Sequence, residues 1–292
     1  MLAFNKSAQI YNLMKIFKSI KDLQAELKLW KARKMTIGFV PTMGALHKGH
    51  LSLIEKSRIE NNITVVSIFV NPTQFNNPND LKKYPRTIEN DSLLLRQVNT
   101  DILFFPSVQE IYPKPTTQKF DFGHLDKVME GKFRAGHFDG VAQVVSRLFD
   151  IVRPDNSYFG QKDFQQLAII KAMVKILKLS VKIHACPIVR ETDGLAMSSR
   201  NQRLSESERK NAVTISQVLF ESKEFAKTHS PTETNKWVIG KINSNPILKL
   251  EYFEIVDELN LQKINSWNEK NNKVGCIAVF LGHVRLIDNI VY

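Results

Sequence analysis

Two histidines three residues apart, His47 and His50, flank Lys48 and Gly49 at the end of the run Pro41-Thr42-Met43-Gly44-Ala45-Leu46. Imidazole N–H groups so paired can both face one pocket. There they suit oxygens whose charge grows as a phosphorus atom is attacked. The intervening glycine lets a phosphate approach the backbone closely. Zinc is the other chemistry that paired histidines suggest, but no third ligand stands at a recognisable spacing.

Three further segments carry polar groups of the same kind. Tyr158-Phe159-Gly160-Gln161-Lys162-Asp163 precedes a helical pattern in which Gln166 falls about one turn along. Lys162 offers a point charge to a phosphate, and Asp163 can accept from a ribose hydroxyl. Taken alone, this segment reads more plainly as a solvated helix start. Met197-Ser198-Ser199-Arg200-Asn201 supplies two hydroxyls and a guanidinium, groups that match triphosphate oxygens; alone it is a polar loop. Asn71-Pro72-Thr73-Gln74-Phe75 places amides after an apolar run, where they can bind a hydroxyl and a carboxylate or simply form a turn.

The surrounding pattern predicts what positions them. Residues 36–40 read as a short strand that runs through the Pro- and Gly-rich turn into a helix over 50–59. The β-branched run 63–70 fits a strand buried on both faces of a parallel sheet. Helix is predicted over 87–98 and strand over 101–105. Apolar residues recur at helical spacing over 140–152 and 164–177. Val181, Ile183 and Ala185 alternate with Lys182 and His184 as in a half-buried strand that Pro187 closes. This alternation of strand and helix predicts an α/β, doubly wound sheet. A strand-to-helix corner at its carboxyl edge is where such sheets bind ligands, and a helix start there presents backbone N–H groups to phosphate.

Beyond residue 189 the pattern changes. Ser205 and Glu208 form a capping box that opens a helix to about 227. A second helix follows near 233–243, then strand-like segments at 250–257, 273–281 and 284–292. The division expected is a domain over 1–188 and a smaller α+β domain over 189–292, with 1–13 a possible extension because Met14 is a second candidate start.

The chain has 292 residues, 43% of them apolar, enough for a sizeable core. No stretch approaches the ~20 apolar residues that span a bilayer, and no secretory signal is legible, so a cytoplasmic protein is expected. Cys186 and Cys276 read as thiols rather than as a disulfide. The net charge of +12 raises nucleic acid as a partner, yet the lysines are scattered and lack interleaved aromatics. The expectation is therefore anionic small molecules, with no nucleic acid and no membrane.

Taken together, the segments resemble the pantoate–β-alanine ligase (pantothenate synthetase) family, of the H-x-G-H nucleotidylyltransferase-like superfamily. The match runs from about Met14 to Tyr292 through Val40–His50, Phe69–Phe75, Tyr84–Thr87, Gly136–Val141, Phe159–Asp163 and Asp193–Asn201, in the family's order and spacing. The resemblance implies a Rossmann-like domain with a smaller C-terminal lid, usually in a homodimer. It also implies that ATP, (R)-pantoate and β-alanine give pantothenate, AMP and pyrophosphate through a pantoyl-adenylate, with Mg²⁺. Carried onto this chain, Met43, Gly44, Ala45, Leu46, His47, Lys48, Gly49 and His50 bind ATP. So do Gly160, Gln161, Lys162, Asp163, the backbone near Val189, and Met197, Ser198, Ser199 and Arg200. His50 (as proton donor), His47 and Lys162 are the catalytic set. Gln74 and Gln166 hold pantoate, and Gln74 also lines the β-alanine position. Asp91 stands where an acidic residue is linked to the metal; its neighbour Asn90 is not acidic, and Ala135 stands where proline is common. A plain nucleotidylyltransferase shares the H-x-G-H turn, and a nucleic-acid-binding module is the rival from another class.

Overall fold

The computed structural model describes residues 14–76, 78–114 and 118–292; the possible extension 1–13 lies outside the described residues. Six strands form one parallel sheet: β1 (Lys15–Phe17), β2 (Ile37–Thr42), β3 (Ile63–Ile68), β4 (Ile102–Phe104), β5 (Asn156–Gly160) and β6 (Lys182–Cys186), in the spatial order β1-β4-β3-β2-β5-β6. The helices among them are α1 (Ile20–Ala32), α2 (Lys48–Glu60), α3 (Pro78–Lys83), α4 (Ile88–Gln97), α5 (Val108–Ile111), α6 (Met129–Phe133), α7 (His137–Val152) and α8 (Phe164–Ile176).

Alternate residues of each strand feed opposite layers, as the two-residue period of a strand requires. Phe39, Val65, Ile102 and Phe104 enter the layer built by α1, α7 and α8. Val40, Val66 and Leu103 enter the layer built by α2 and α4. Helices on both faces bury the centre of the sheet, and all six residues of β3 are buried. The doubly wound expectation holds. The first 34 residues carried no predicted element, yet they contain β1 and α1. β1 is three residues long and two of them are exposed, too short for any pattern to register. The strand predicted around Val181 begins one residue later. His184 is not a plain outward residue there: it stacks on Tyr158 at 4.7 Å and bonds Asn156 at 2.8 Å.

The sheet places a crevice between β2 and β5. From β2 the chain moves outward through β3 to β4, then crosses back to β5 on β2's other side. The loops after β2 and β5 therefore meet at the strands' carboxyl ends, the switch point where open α/β sheets bind ligands.

The C-terminal part carries α9 (Glu206–Phe225), α10 (Pro231–Asn243) and the antiparallel sheet β7 (Leu248–Asp257), β8 (Lys273–Leu281), β9 (Val284–Val291). The Ser205–Glu208 capping box is present. One face of this sheet packs on α9 and α10. The other face, through Tyr252, Val256, Val274 and Ala278, packs on Met129 of α6, with Leu125 and Phe164 alongside. Both cysteines are buried free thiols.

Candidate active site

The turn after β2 holds a tight conformation. Gly44 has φ +82° and Ala45 φ +50°, and left-handed backbone at a non-glycine residue persists only where its surroundings hold it. Asp91, 1% exposed on α4, does so: its carboxylate accepts from Ala45 N at 2.9 Å, Leu46 N at 2.8 Å and Thr87 Oγ1 at 3.2 Å.

His47 and His50 then cap α2 reciprocally. His47 Nδ1 accepts from Gly49 N at 3.1 Å, and His50 Nδ1 accepts from His47 N at 3.3 Å. A ring nitrogen that accepts carries no proton, so the other nitrogen carries it. Both rings are thus Nε2–H tautomers, 4.1 Å apart between centroids. Burial, then the Lys162 charge, pushes His47 down to about 4. Burial, then His47 and Lys162, holds His50 well below the usual histidine value. The pair consists of neutral donors with two N–H groups free of the caps. The same geometry corrects one expectation. Much of the α2 start is not open backbone: Gly49 N is capped by an imidazole, and Ala45 N and Leu46 N are held by Asp91. Lys48 is exposed at the first helical position.

The other segments converge on this turn. Gln161 and Lys162 follow β5 in the neighbouring loop, and Asn289 of β9 fixes them by donating to their carbonyls at 2.9 and 3.0 Å. Sequence reasoning missed Asn289; its signal was a polar pair, Asp288-Asn289, buried within an apolar strand. Val189 and Met197 pair through the backbone at 3.0 Å, which brings the 197–200 loop back over the α2 start. Ser199 Oγ donates to Ala45 O at 3.0 Å. Ser198 caps its own 3₁₀ turn through Arg200 N at 3.2 Å. Arg200 is not free: with Arg203 it pairs with Asp80 of α3, at 2.9 and 2.6 Å.

Gln74 is 8% exposed and its Nε2 lies 2.8 Å from Met43 Sδ. A thioether is a weak acceptor, so this amide retains capacity for a better partner. Gln166 lines a cavity of about 30 Å³ with Lys162, Asp163, Arg134 and His137. Its neighbour Gln165 is structural instead: it accepts from Glu130 N and donates to Leu125 O and Val128 O.

Both oxygens of Asp91, the residue expected to be linked to the metal, accept from backbone donors and brace the turn. Among the described residues no group of three or more His, Cys, Asp or Glu could hold a metal ion, and no helix is long and apolar enough to cross a membrane.

Comparison with known proteins points to one family. A family model described as pantoate-beta-alanine ligase matches residues 15–291. The pantothenate synthetase of Bacteroides fragilis strain YCH46 is 58% identical over 279 residues, covering 96% of this chain and 99% of that protein. That of Porphyromonas gingivalis strain ATCC 33277 is 52% identical over 279 residues, with coverage of 96% and 99%. The crystal structure of pantoate-beta-alanine ligase (pantothenate synthetase) from Thermus thermophilus superposes with a TM-score of 0.90 at 40% identity, covering 95% of this chain and 99% of that one. The Francisella tularensis pantoate-beta-alanine ligase, complexed with beta-gamma ATP and beta-alanine, gives 0.79 at 37% identity, with coverage of 95% and 97%.

Proposed function

The chain belongs to the pantoate–β-alanine ligase family, and on that premise we propose that it condenses (R)-pantoate with β-alanine to pantothenate, converting ATP to AMP and pyrophosphate. The observation that carries this reading is the pair of neutral imidazoles, each with Nε2–H available, in the crevice beside Lys162.

A carboxylate acylates poorly because oxide would have to leave. Attack of a pantoate carboxylate oxygen on the α-phosphorus breaks the bond to the bridging oxygen and releases pyrophosphate. The β-alanine amine then attacks the acyl carbon of the mixed anhydride, loses a proton, and AMP leaves. No enzyme nucleophile is required. The residues position the reactants and receive charge: His47, His50 and Lys162 at the phosphates, Gln74 and Gln166 at pantoate, and Gln74 at β-alanine. As neutral rings the histidines act here as hydrogen-bond donors during adenylation. Mg²⁺ favours phosphate oxygens and water, so on this reading it arrives on the nucleotide.

The polar ties of Ser199, Arg200 and Arg203 can break into water at little cost, whereas the apolar face of β7–β9 cannot. We infer that the 197–203 loop, within the 189–292 domain, is the element that closes over ATP. A cytoplasmic homodimer belongs to the same reading, checked by a solution mass of twice the chain. The test of function is product analysis. Pantothenate, AMP and pyrophosphate in equal amounts support the reading, and ADP or a nucleotidylated product without amide overturns it.

A further inference from the structure

The first turns of α7 grip the segment that carries Gln74. A Cβ added at Gly140 would lie 2.5 Å from Thr73 O and 2.8 Å from Gln74 Cα, so the helix and the 72–74 turn meet backbone to backbone. Asn71 Nδ2 donates to Gly140 O at 3.0 Å and lies 3.3 Å from Gln74 Oε1. His137, 6% exposed, places Nδ1 2.8 Å from Gln74 O. Its Nε2 lies 3.1 Å from Arg134 Nη1.

The hydrogens on this ring follow from its neighbours. A peptide carbonyl only accepts and a guanidinium only donates. Nδ1 must therefore carry the proton and Nε2 must be bare, the reverse of His47 and His50. A doubly protonated ring would set a donor against the guanidinium. Burial, then the Arg134 charge, pushes His137 down to about 4, in keeping with the neutral form.

The contacts continue past Arg134. Its Nη1 lies 3.4 Å from Glu130 Oε2. Glu130 also accepts from Arg285 of β9 at 2.9 and 2.5 Å and from Tyr252 of β7 at 3.0 Å. The donors and acceptors thus run without a gap from the C-terminal sheet through Glu130, Arg134 and His137 to the main chain of Gln74.

Resting on the reading that Gln74 holds the acid, we propose that His137 is a positioning residue: as the Nδ1–H tautomer it fixes the Gln74 backbone and links the acid pocket to the docked C-terminal sheet. It touches no reacting atom. Losing it frees the turn, and the Gln74 amide then samples orientations that do not meet pantoate.

Three variants and one spectrum test this. His137→Leu removes the donor and leaves Gln74 O buried and unmet; the pantoate KM should rise about tenfold or more, with ATP affinity and kcat much less changed. His137→Asn sets an amide N–H near the Nδ1 position and should recover most of that loss. Arg285→Gln, at the far end, should raise the pantoate KM in the same sense. A Leu variant that loses ATP affinity and pantoate use equally, an Asn variant no better than Leu, or an Arg285→Gln variant with an unchanged pantoate KM would overturn the proposal. Imidazole ¹⁵N spectra of the substrate-free protein supply a readout independent of turnover: His137 should be protonated at Nδ1, and an Nε2–H signal contradicts it. Absence of pantoate-dependent turnover in the wild type would sink the functional reading, while the spectrum would still decide the tautomer.

Discussion

At the scale of single residues, the site separates groups that donate from groups that hold donors in place. Lys162 stands beside both active-turn imidazoles, close enough to push them down. Lys162→Ala should slow adenylate formation about 10²–10³-fold, the range for losing a strong transition-state donor; near-normal single-turnover formation would remove Lys162 from the catalytic set. Asp91 holds the turn. Asp91→Ala should lower stability by about 2–3 kcal/mol, since charge-assisted bonds to two buried N–H groups are lost. Excess Mg²⁺ should not restore activity to that variant, whereas recovery with magnesium would return Asp91 to the metal. The histidines also set a pH dependence. His47 and His137 titrate near 4 in the folded chain and near 6.5 when unfolded. Between these values the unfolded chain binds more protons, so their stabilising contribution is present above about 6.5 and is lost as pH falls through about 4. The urea midpoint should fall across that window, less steeply in His137→Asn; a flat profile contradicts the buried neutral rings.

At the scale of elements, what was legible followed from periodicity. The run 63–70 and the spacing over 140–152 specified β3 and α7 because burial on both faces, or along one stripe, leaves an unmistakable apolar pattern. The His47–His50 corner was legible because a strand must hand over to a helix there. The roles of Asp91 and His137 were not. Each acts on a segment 46 and 63 residues away in sequence, and no local pattern encodes a carboxylate that braces a distant turn. Gly140 is a similar case, a helix-interior glycine whose reason is the backbone of Thr73 across the contact. Gly140→Ala should force the 72–74 turn away, destabilising the fold by about 1–3 kcal/mol and weakening pantoate use more than ATP binding. Thermal melts and substrate titrations check both; a variant that keeps full stability and an unchanged pantoate KM would show that the close approach is not required.

At the scale of the molecule, the fold gathers loops from two halves onto one crevice. The parallel sheet brings the turns after β2 and β5 together. The C-terminal sheet adds Asn289 beneath Lys162, and the 197–203 loop lies across the α2 start, tied by Ser199. Such an assembly suits a reaction whose two steps share one acyl group, because the adenylate must stay in place until the amine arrives. On this reading the crevice activates an acid on the α-phosphorus of ATP before any amine is present. Exchange of labelled pyrophosphate into ATP tests that order of events most directly. Exchange should require pantoate, proceed without β-alanine and collapse in Lys162→Ala. Exchange without pantoate, or none until β-alanine is added, would contradict it.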